Sequence, residues 1–332
     1  QINIGDNVTE PGLTIYNLEI DKDQNYNASV LDDVDIISSG RADNSYTLRI
    51  QNDILITRGE FDVKKLDVRL EGNLEIVDGN ILYDATTPGY IELYNTTTAQ
   101  TIKGSYTDEQ DFGNLILNNA NGATLLSNIN LQNVTLTDGV MNLDVYNLDV
   151  TGDLSGSFGT NEMFETAGNI GDGGLTRFWD LSAGSAGTTI LFPIGSGSIY
   201  TPATLKQSAT ISDDGKFTVN PVGSYHPALK PGNDNKTIPY YWVVDTADFS
   251  SVTYDQVQYI FEYPGTIGGG IQKGANLWDG DWTWYDMGNC LSGSTITFPY
   301  NTYLTTEFVL GNPSIFKTPK VYYTIDYQEQ PD

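Results

Sequence analysis

Carboxylates are the residues of this sequence best placed to do chemistry. Asp32, Asp33 and Asp35 fall together, Asp108, Glu109 and Asp111 form a second group, and Asp213 with Asp214 and Asp279 with Asp281 are shorter pairs. A hard cation needs several oxygens converging from a turn. Calcium is therefore the metal this sequence could hold, with Asp32, Asp33, Asp35, Asp108 and Asp111 as its candidate ligands. None of the groups has the spacing of an EF-hand loop, and Asp at a turn also serves simply to shape or solubilise the turn. No other cofactor is expected. A single histidine and a single cysteine cannot supply a usual zinc set, and no phosphate-cradling or dinucleotide glycine motif is present.

Aromatic residues offer a second kind of site. Trp282 and Trp284 lie two apart and so share one face of a strand, with Trp278 across the Asp279-Gly280 turn. Exposed, such rings could stack on sugars; buried, the same spacing is a packed face. The lone histidine, His226, sits before Pro227 with no Gly-x-Ser-x-Gly elbow anywhere in the chain, which points to a structural role. Cys290 has no partner for an intrachain disulfide and reads as a buried, inert thiol. Hydrolysis of glycans would need two carboxylates roughly 5 to 9 Å apart. With 43 acidic residues such pairs arise by chance, so they discriminate nothing. Arg58, Lys64, Lys65 and Arg69 alternate with apolar residues, as solvated outer-face side chains do. A non-enzymatic protein is expected, with a polysaccharide lyase or glycoside hydrolase as the enzymatic alternative.

What must position these groups is a repeat. Ile54-Leu55-Ile56-Thr57-Arg58-Gly59 is followed about 20 residues later by Leu74-Glu75-Ile76-Val77-Asp78-Gly79, and after about three times that offset by Val134-Thr135-Leu136-Thr137-Asp138-Gly139. Each phrase pairs two aliphatics at i and i+2 with a glycine three residues on, which is a half-buried strand running into a turn. A second phrase precedes each one: Leu48/Ile50, Val68/Leu70 and Ile129/Leu131. Two strands and two turns in roughly 20 residues is the size of a solenoid coil. Asn recurs where the corners should lie, at 73, 80, 114, 118, 119, 121, 128 and 133. Asn tolerates the left-handed conformation and can form ladders from coil to coil.

The fold expected is all-β: a right-handed β-solenoid, parallel β-helix-like, followed by an antiparallel β-sandwich. Residues 1–170 form the solenoid, with irregular first coils over 1–47. Glycines then crowd between 152 and 174, and residues 171–312 form the sandwich. Its strands are expected at 201–205, 216–220, 240–244, 257–263, 282–287, 295–299 and 306–310, separated by Gly, Asp, Asn and Pro. Residues 313–332 are a linker and the start of a further strand or domain. Val321, Tyr323 and Ile325 alternate there as one more strand, which belongs to a longer parent or completes the sheet of a neighbour.

Charge and composition narrow the partners. A net charge of −27 excludes nucleic acid and anionic membrane surfaces, both of which require clustered Lys and Arg. No apolar run is long enough to cross a bilayer. Low hydrophobic and charged content, 39% and 18%, with Asn, Thr, Ser and Gly in their place, suits an extracellular β protein. Surface glycans, other cell-surface proteins and the protein itself are the expected partners, at the outer cell surface or beyond it.

The strings Ala99-Gln100-Thr101-Ile102-Lys103-Gly104, Phe112-Gly113-Asn114-Leu115-Ile116-Leu117-Asn118-Asn119 and Leu136-Thr137-Asp138-Gly139 carry a resemblance. Gly174-Leu175-Thr176-Arg177, Phe192-Pro193-Ile194-Gly195, Tyr200-Thr201-Pro202-Ala203, Tyr240-Tyr241-Trp242, Leu277-Trp278-Asp279-Gly280-Asp281-Trp282 and Phe308-Val309-Leu310-Gly311 extend it over roughly residues 50 to 312. Together they resemble the large repetitive surface proteins of Bacteroidetes, the gliding-type adhesins and relatives exported by the type IX pathway. The resemblance implies a β-helix followed by a sandwich, secretion, and a role in adhesion or surface structure. Gln1 in place of an initiator Met accords with a processed exported chain, and the sorting domain that usually closes such proteins is not seen, which accords with a fragment. Asp245-Thr246-Ala247 matches the O-glycosylation triplet of that group, with Thr246 as acceptor, although it falls within an expected strand. The function expected is a non-enzymatic stalk or surface-adhesin segment. The alternatives are a carbohydrate-binding or carbohydrate-active protein, and a filament subunit with a donated C-terminal strand.

Overall fold

The computed structural model describes residues 2–3, 13–21, 34–37, 47–64, 66–83, 89–104, 112–211, 213–227, 229, 236–250, 256–268, 270–271, 273–277, 284–299 and 306–316. Among the described residues the regular structure is all β, with no α-helix. The N-terminal half winds into parallel coils, a β-solenoid. Its first face stacks Leu13–Ile15, Thr47–Ile50, Asp67–Leu70, Tyr90–Leu93, Leu115–Asn118, Val134–Asp138 and Leu154–Gly156. Its second stacks Leu18–Asp21, the start of Ile54–Lys64, Leu74–Ile76, Gln100–Lys103, Ala123–Leu125, Met141–Asp144, Phe164–Thr166 and Ile194–Ser196. A third is formed early by Val34–Ile37, the end of Ile54–Lys64 and Gly79–Tyr83, and later by Ile129–Leu131, Leu148–Val150 and Leu175–Asp180.

Alternation explains why these short strands hold. In Thr47–Ile50, Leu48 and Ile50 are fully buried while Thr47 and Arg49 face outward. Leu48 stacks on Val68 and then Ile91, and Ile50 on Leu70 and then Leu93. Each buried aliphatic contributes about 1.5 to 3 kcal/mol, but only because the next coil covers it. At one corner Asn114 Nδ2 donates to the Gly89 carbonyl at 3.1 Å, Asn133 Nδ2 to Asn114 Oδ1 at 2.8 Å, and the Asp153 amide to Asn133 Oδ1 at 2.7 Å. The expected asparagine ladder therefore exists. At another corner Gly139 has φ 95°, and a Cβ there would lie 1.9 Å from the Asn119 carbonyl oxygen.

The repeat holds in part. Ile54 pairs with Leu74, Gly59 with Gly79, and Leu48 with Val68, as the offset predicts. The third copies belong elsewhere. Val134 stacks on Leu115 in the first face rather than continuing Ile54 and Leu74 in the second. Ile129 lies in the third face, paired with Leu148, rather than continuing Leu48 and Val68. Coil lengths are unequal, and every face carries the same aliphatic-x-aliphatic pattern, so a fixed offset drifts from one face to another.

The sandwich is antiparallel, and all seven expected strands occur, as Ala203–Gln207, Asp214–Val222, Thr237–Ala247, Val257–Glu262, Trp284–Asn289, Thr295–Thr297 and Thr306–Gly311. One sheet runs Leu175–Asp180, Asp214–Val222, Thr237–Ala247, Thr306–Gly311, Lys273–Leu277, Trp284–Asn289. The other runs Thr189–Phe192, Ala203–Gln207, Val257–Glu262, Thr295–Thr297, Leu291–Ser292. Large rings fill the space between them. Trp242 stacks on Phe261 at 4.6 Å, and Phe308 meets Phe298 and Tyr259, each at 4.7 Å.

The two halves are fused. Leu175–Asp180 pairs in parallel with the coil strand Leu148–Val150 and antiparallel with the sandwich strand Asp214–Val222, so one sheet runs from solenoid into sandwich. Arg177 donates from Nη2 to the Gly152 carbonyl at 2.9 Å and from Nη1 to the Leu191 carbonyl at 3.0 Å, tying a coil corner to the second sheet. The Tyr240 hydroxyl pairs with Ser196 Oγ at 2.7 Å and accepts from Thr201 Oγ1 at 2.8 Å.

Candidate functional site

Across the outer face of the shared sheet, register aligns side chains from widely separated parts of the chain. Asn130 pairs with Asp149, Asp149 with Thr176, and Thr176 with Thr218, one step per strand. Their neighbours Leu148, Val150, Leu175, Phe217 and Val219 point the other way, into the core. Strand pleating therefore forces the intervening residues outward, whatever their chemistry. The row lines a cavity of about 480 Å³ together with Asn147, Thr151, Lys216, Ala247 and Asp248.

The cavity floor is ordered by its own hydrogen bonds. Lys216 Nζ donates to Asp149 Oδ2 at 2.8 Å. The Asp149 side chain is only 2% exposed, against 28% for Lys216. A carboxylate this deep requires a cation or several donors, because burial penalises the charged form. The second oxygen, Asp149 Oδ1, is buried with no hydrogen-bond partner among the described residues. Beside it Thr176 Oγ1 donates to Asn147 Oδ1 at 2.9 Å and shares a 2.6 Å bond with Thr218 Oγ1. Thr176 has one proton and gives it to Asn147, so Thr218 is the donor between the two hydroxyls. Phe178 is paired with Lys216 across the strands and shares the outward face of its strand with Thr176; it remains 37% exposed.

A second cavity, about 270 Å³, lies on the second solenoid face between Leu55, Leu126, Glu75 and Lys103. Its polar groups are already paired: Lys103 Nζ bonds Glu75 Oε1 at 2.7 Å, and Asn73 Oδ1 accepts from both the Thr101 amide and its hydroxyl.

Few of the residues expected from sequence are among those the structure describes. Asp32, Asp33, Asp108, Asp111, Trp278, Trp282, Val321, Tyr323 and Ile325 lie outside the described residues. Asp35 lies in strand Val34–Ile37 with Asp62 as its neighbour, and Trp284 begins strand Trp284–Asn289 opposite Leu277. Among the described residues no three His, Cys, Asp or Glu gather closely enough to hold a metal ion. Thr246 is half-buried, next to Phe217 across the sheet. His226 is buried, with its ring edge-on to Tyr241 at 4.6 Å and Nε2 paired with Glu307 Oε2. Burial and the charge of Glu307 push the Tyr241 hydroxyl up to about 12. Cys290 is buried, and a Cβ on Gly274 would lie 2.6 Å from its sulfur.

Sequence reasoning did not find Asp149, Thr176, Lys216 and Thr218 as a group. Leu148-Asp149-Val150 reads like any other coil strand, and nothing local marks the aspartate as buried. No helix among the described residues is long and apolar enough to cross a membrane. No family model, curated protein or solved structure matches the chain.

Proposed function

We propose that this chain is a non-enzymatic segment of an extracellular surface protein, a stiff stalk that carries adhesive contacts away from the cell. Its likeness in sequence strings to the gliding-type adhesins of Bacteroidetes belongs to the same proposal. The observation that carries it is the shared sheet. Hydrogen-bonded strands continue from Ile129–Leu131 through Leu175–Asp180 to Trp284–Asn289, so the coils meet the sandwich without a flexible linker between them. A rod needs that rigidity to transmit load and to hold a contact surface at a distance. The one fully buried carboxylate in the larger cavity has a lysine as its partner rather than a second carboxylate, which supports binding over hydrolysis.

The test is retention under flow. Latex beads coated with the purified chain are washed over glycan-coated and cell-coated surfaces and compared with albumin-coated beads. Retention above the albumin control on at least one surface is expected. Retention equal to the control on every surface sinks the adhesin reading. Light scattering on the same preparation separates the filament alternative, which requires large linear polymers rather than a monomer.

A further inference from the structure

We propose that the cavity on the outer face of the shared sheet binds one unit of a neutral sugar, with Asp149, Thr218, Thr176 and Lys216 as polar contacts and the exposed ring of Phe178, opposite Lys216 on the same sheet face, as an apolar neighbour beyond the cavity lining. This deepens the adhesin reading, and rests on it, by naming the ligand class of the contact surface.

The lining selects the ligand. At about 480 Å³ the cavity falls within the roughly 300 to 1,000 Å³ of small-ligand sites. An apolar ligand has nothing to pack on along Asn130, Asp149, Thr176, Lys216 and Thr218, and it would leave those groups desolvated. An anion meets Asp149 and Asp248 within a chain of net charge −27. A metal ion must compete with the Lys216 ammonium, already 2.8 Å from Asp149 Oδ2. A polyol suits what remains. Asp149 Oδ1 is a buried acceptor without a hydrogen-bond partner among the described residues, and a sugar hydroxyl supplies the missing donor while Lys216 stays on Oδ2. The Thr176–Thr218 hydroxyl pair spends both its protons, on Asn147 and on Thr176, and so presents acceptor lone pairs to the hydroxyls of a sugar. The exposed ring of Phe178, on the same face, offers the apolar surface that the C–H side of a pyranose needs. The contacts rise from neighbouring strands of one sheet, so they are positioned before the ligand arrives.

The experiment titrates the full chain with lactose, cellobiose, maltose and mannobiose by calorimetry, with galacturonic acid and calcium chloride as controls. At least one neutral disaccharide binds. Asp149→Asn and Thr218→Val each weaken that binding by about tenfold or more, the effect of losing a hydrogen bond to a charged or well-placed partner. Phe178→Ala weakens it too and, being at an exposed position, leaves the melting temperature near that of the parent. Circular dichroism confirms that Thr218→Val, a near-isosteric change, remains folded. The proposal is overturned if none of the four disaccharides binds, if only galacturonic acid or calcium does, or if binding survives both Thr218→Val and Phe178→Ala. If beads still adhere when no disaccharide binds, this inference fails and the adhesin reading stands. If a disaccharide binds and the beads do not adhere, the site stands and that reading fails.

Discussion

The solenoid and the sandwich solve the same problem, burying one side of a sheet, with different residues. The coils are filled mainly by Leu, Ile and Val stacked on like residues, Leu48 on Val68 on Ile91 and Leu115 on Val134, with Phe61, Phe112 and Phe164 as buried rings among them. The sandwich is filled by rings: Trp242, Tyr240, Tyr259, Phe217, Phe261, Phe298 and Phe308 are all buried. The difference follows from geometry. Neighbouring coils are one strand spacing apart, about 4.8 Å, so each layer must fit the one below it, and medium-sized aliphatics tile that repeat. Two facing sheets sit about 10 Å apart, and rings span that gap with the fewest side chains. The coils also rely on neighbours about one coil away in sequence, whereas the sandwich pairs Thr237–Ala247 with Thr306–Gly311 across the chain. The solenoid is thus assembled from local layers and the sandwich from a few distant, large contacts.

The strongest challenge to this contrast is Trp242→Ala. Trp242 is fully buried, stacked on Phe261, and donates from Nε1 to the Thr201 carbonyl at 3.2 Å. The expected loss is about 3 to 5 kcal/mol, read by urea denaturation. Hydrogen exchange should show the sandwich strands opening first while the coils over 47–150 stay protected. Simultaneous exchange of both halves would mean that the shared sheet makes them one cooperative unit.

Alkali should separate the halves in the same direction. Burial is the main cause pushing the Tyr240 hydroxyl up to about 12, against its bonds to Ser196 and Thr201. A raised folded value favours the protonated form. Its stability is therefore complete below pH 10, the unfolded value, and is lost as pH rises through about 12. The loss is on the order of 3 kcal/mol for that group. Tyr259, fully buried, is pushed higher still. Thermal melts between pH 9 and pH 12 should show the sandwich signal failing ahead of the coils. The solenoid tyrosine Tyr90, also raised to about 12, is the group that would blur this order.

Within the coils, Gly139→Ala tests the tight corner. Its φ of 95° and the 1.9 Å approach to Asn119 leave no room for a methyl. A loss of about 1 to 3 kcal/mol is expected from thermal denaturation. A neutral result would mean that the corner rearranges freely and that layer stacking is looser than its register implies. The smallest effect is expected of Asn133→Ala. That change breaks two rungs of the asparagine ladder at a half-buried corner and should cost about 1 kcal/mol. A null result would assign the stability of the coils to their aliphatic core alone.

Much of the fold was legible in the sequence because its signals are local. Aliphatics at i and i+2 predict a half-buried strand, and Asn121-Gly122 and Asp138-Gly139 predict turns; Gly122 and Gly139 do have φ of 78° and 95°. Seven of the sandwich strands could be read the same way, while Lys273–Leu277 and Leu291–Ser292 were not among them. The stacking register could not. The Val134 and Ile129 phrases have the correct pattern and the wrong face, because coil length varies and the pattern is common to all faces.

Composition and local pattern by themselves determined that this protein is all β, acidic, and built of repeated short strands followed by a sandwich. Only the tertiary structure decided that the two parts share a sheet and that Asp149, Thr176, Lys216 and Thr218 meet. Lys216 and Asp149 are 67 residues apart, and the parallel step from Asp149 to Thr176 is followed by an antiparallel one to Thr218. No local rule fixes where the chain changes from coiling to folding back. That change is set by which strands can cover one another's apolar faces, and burial across the whole molecule decides it.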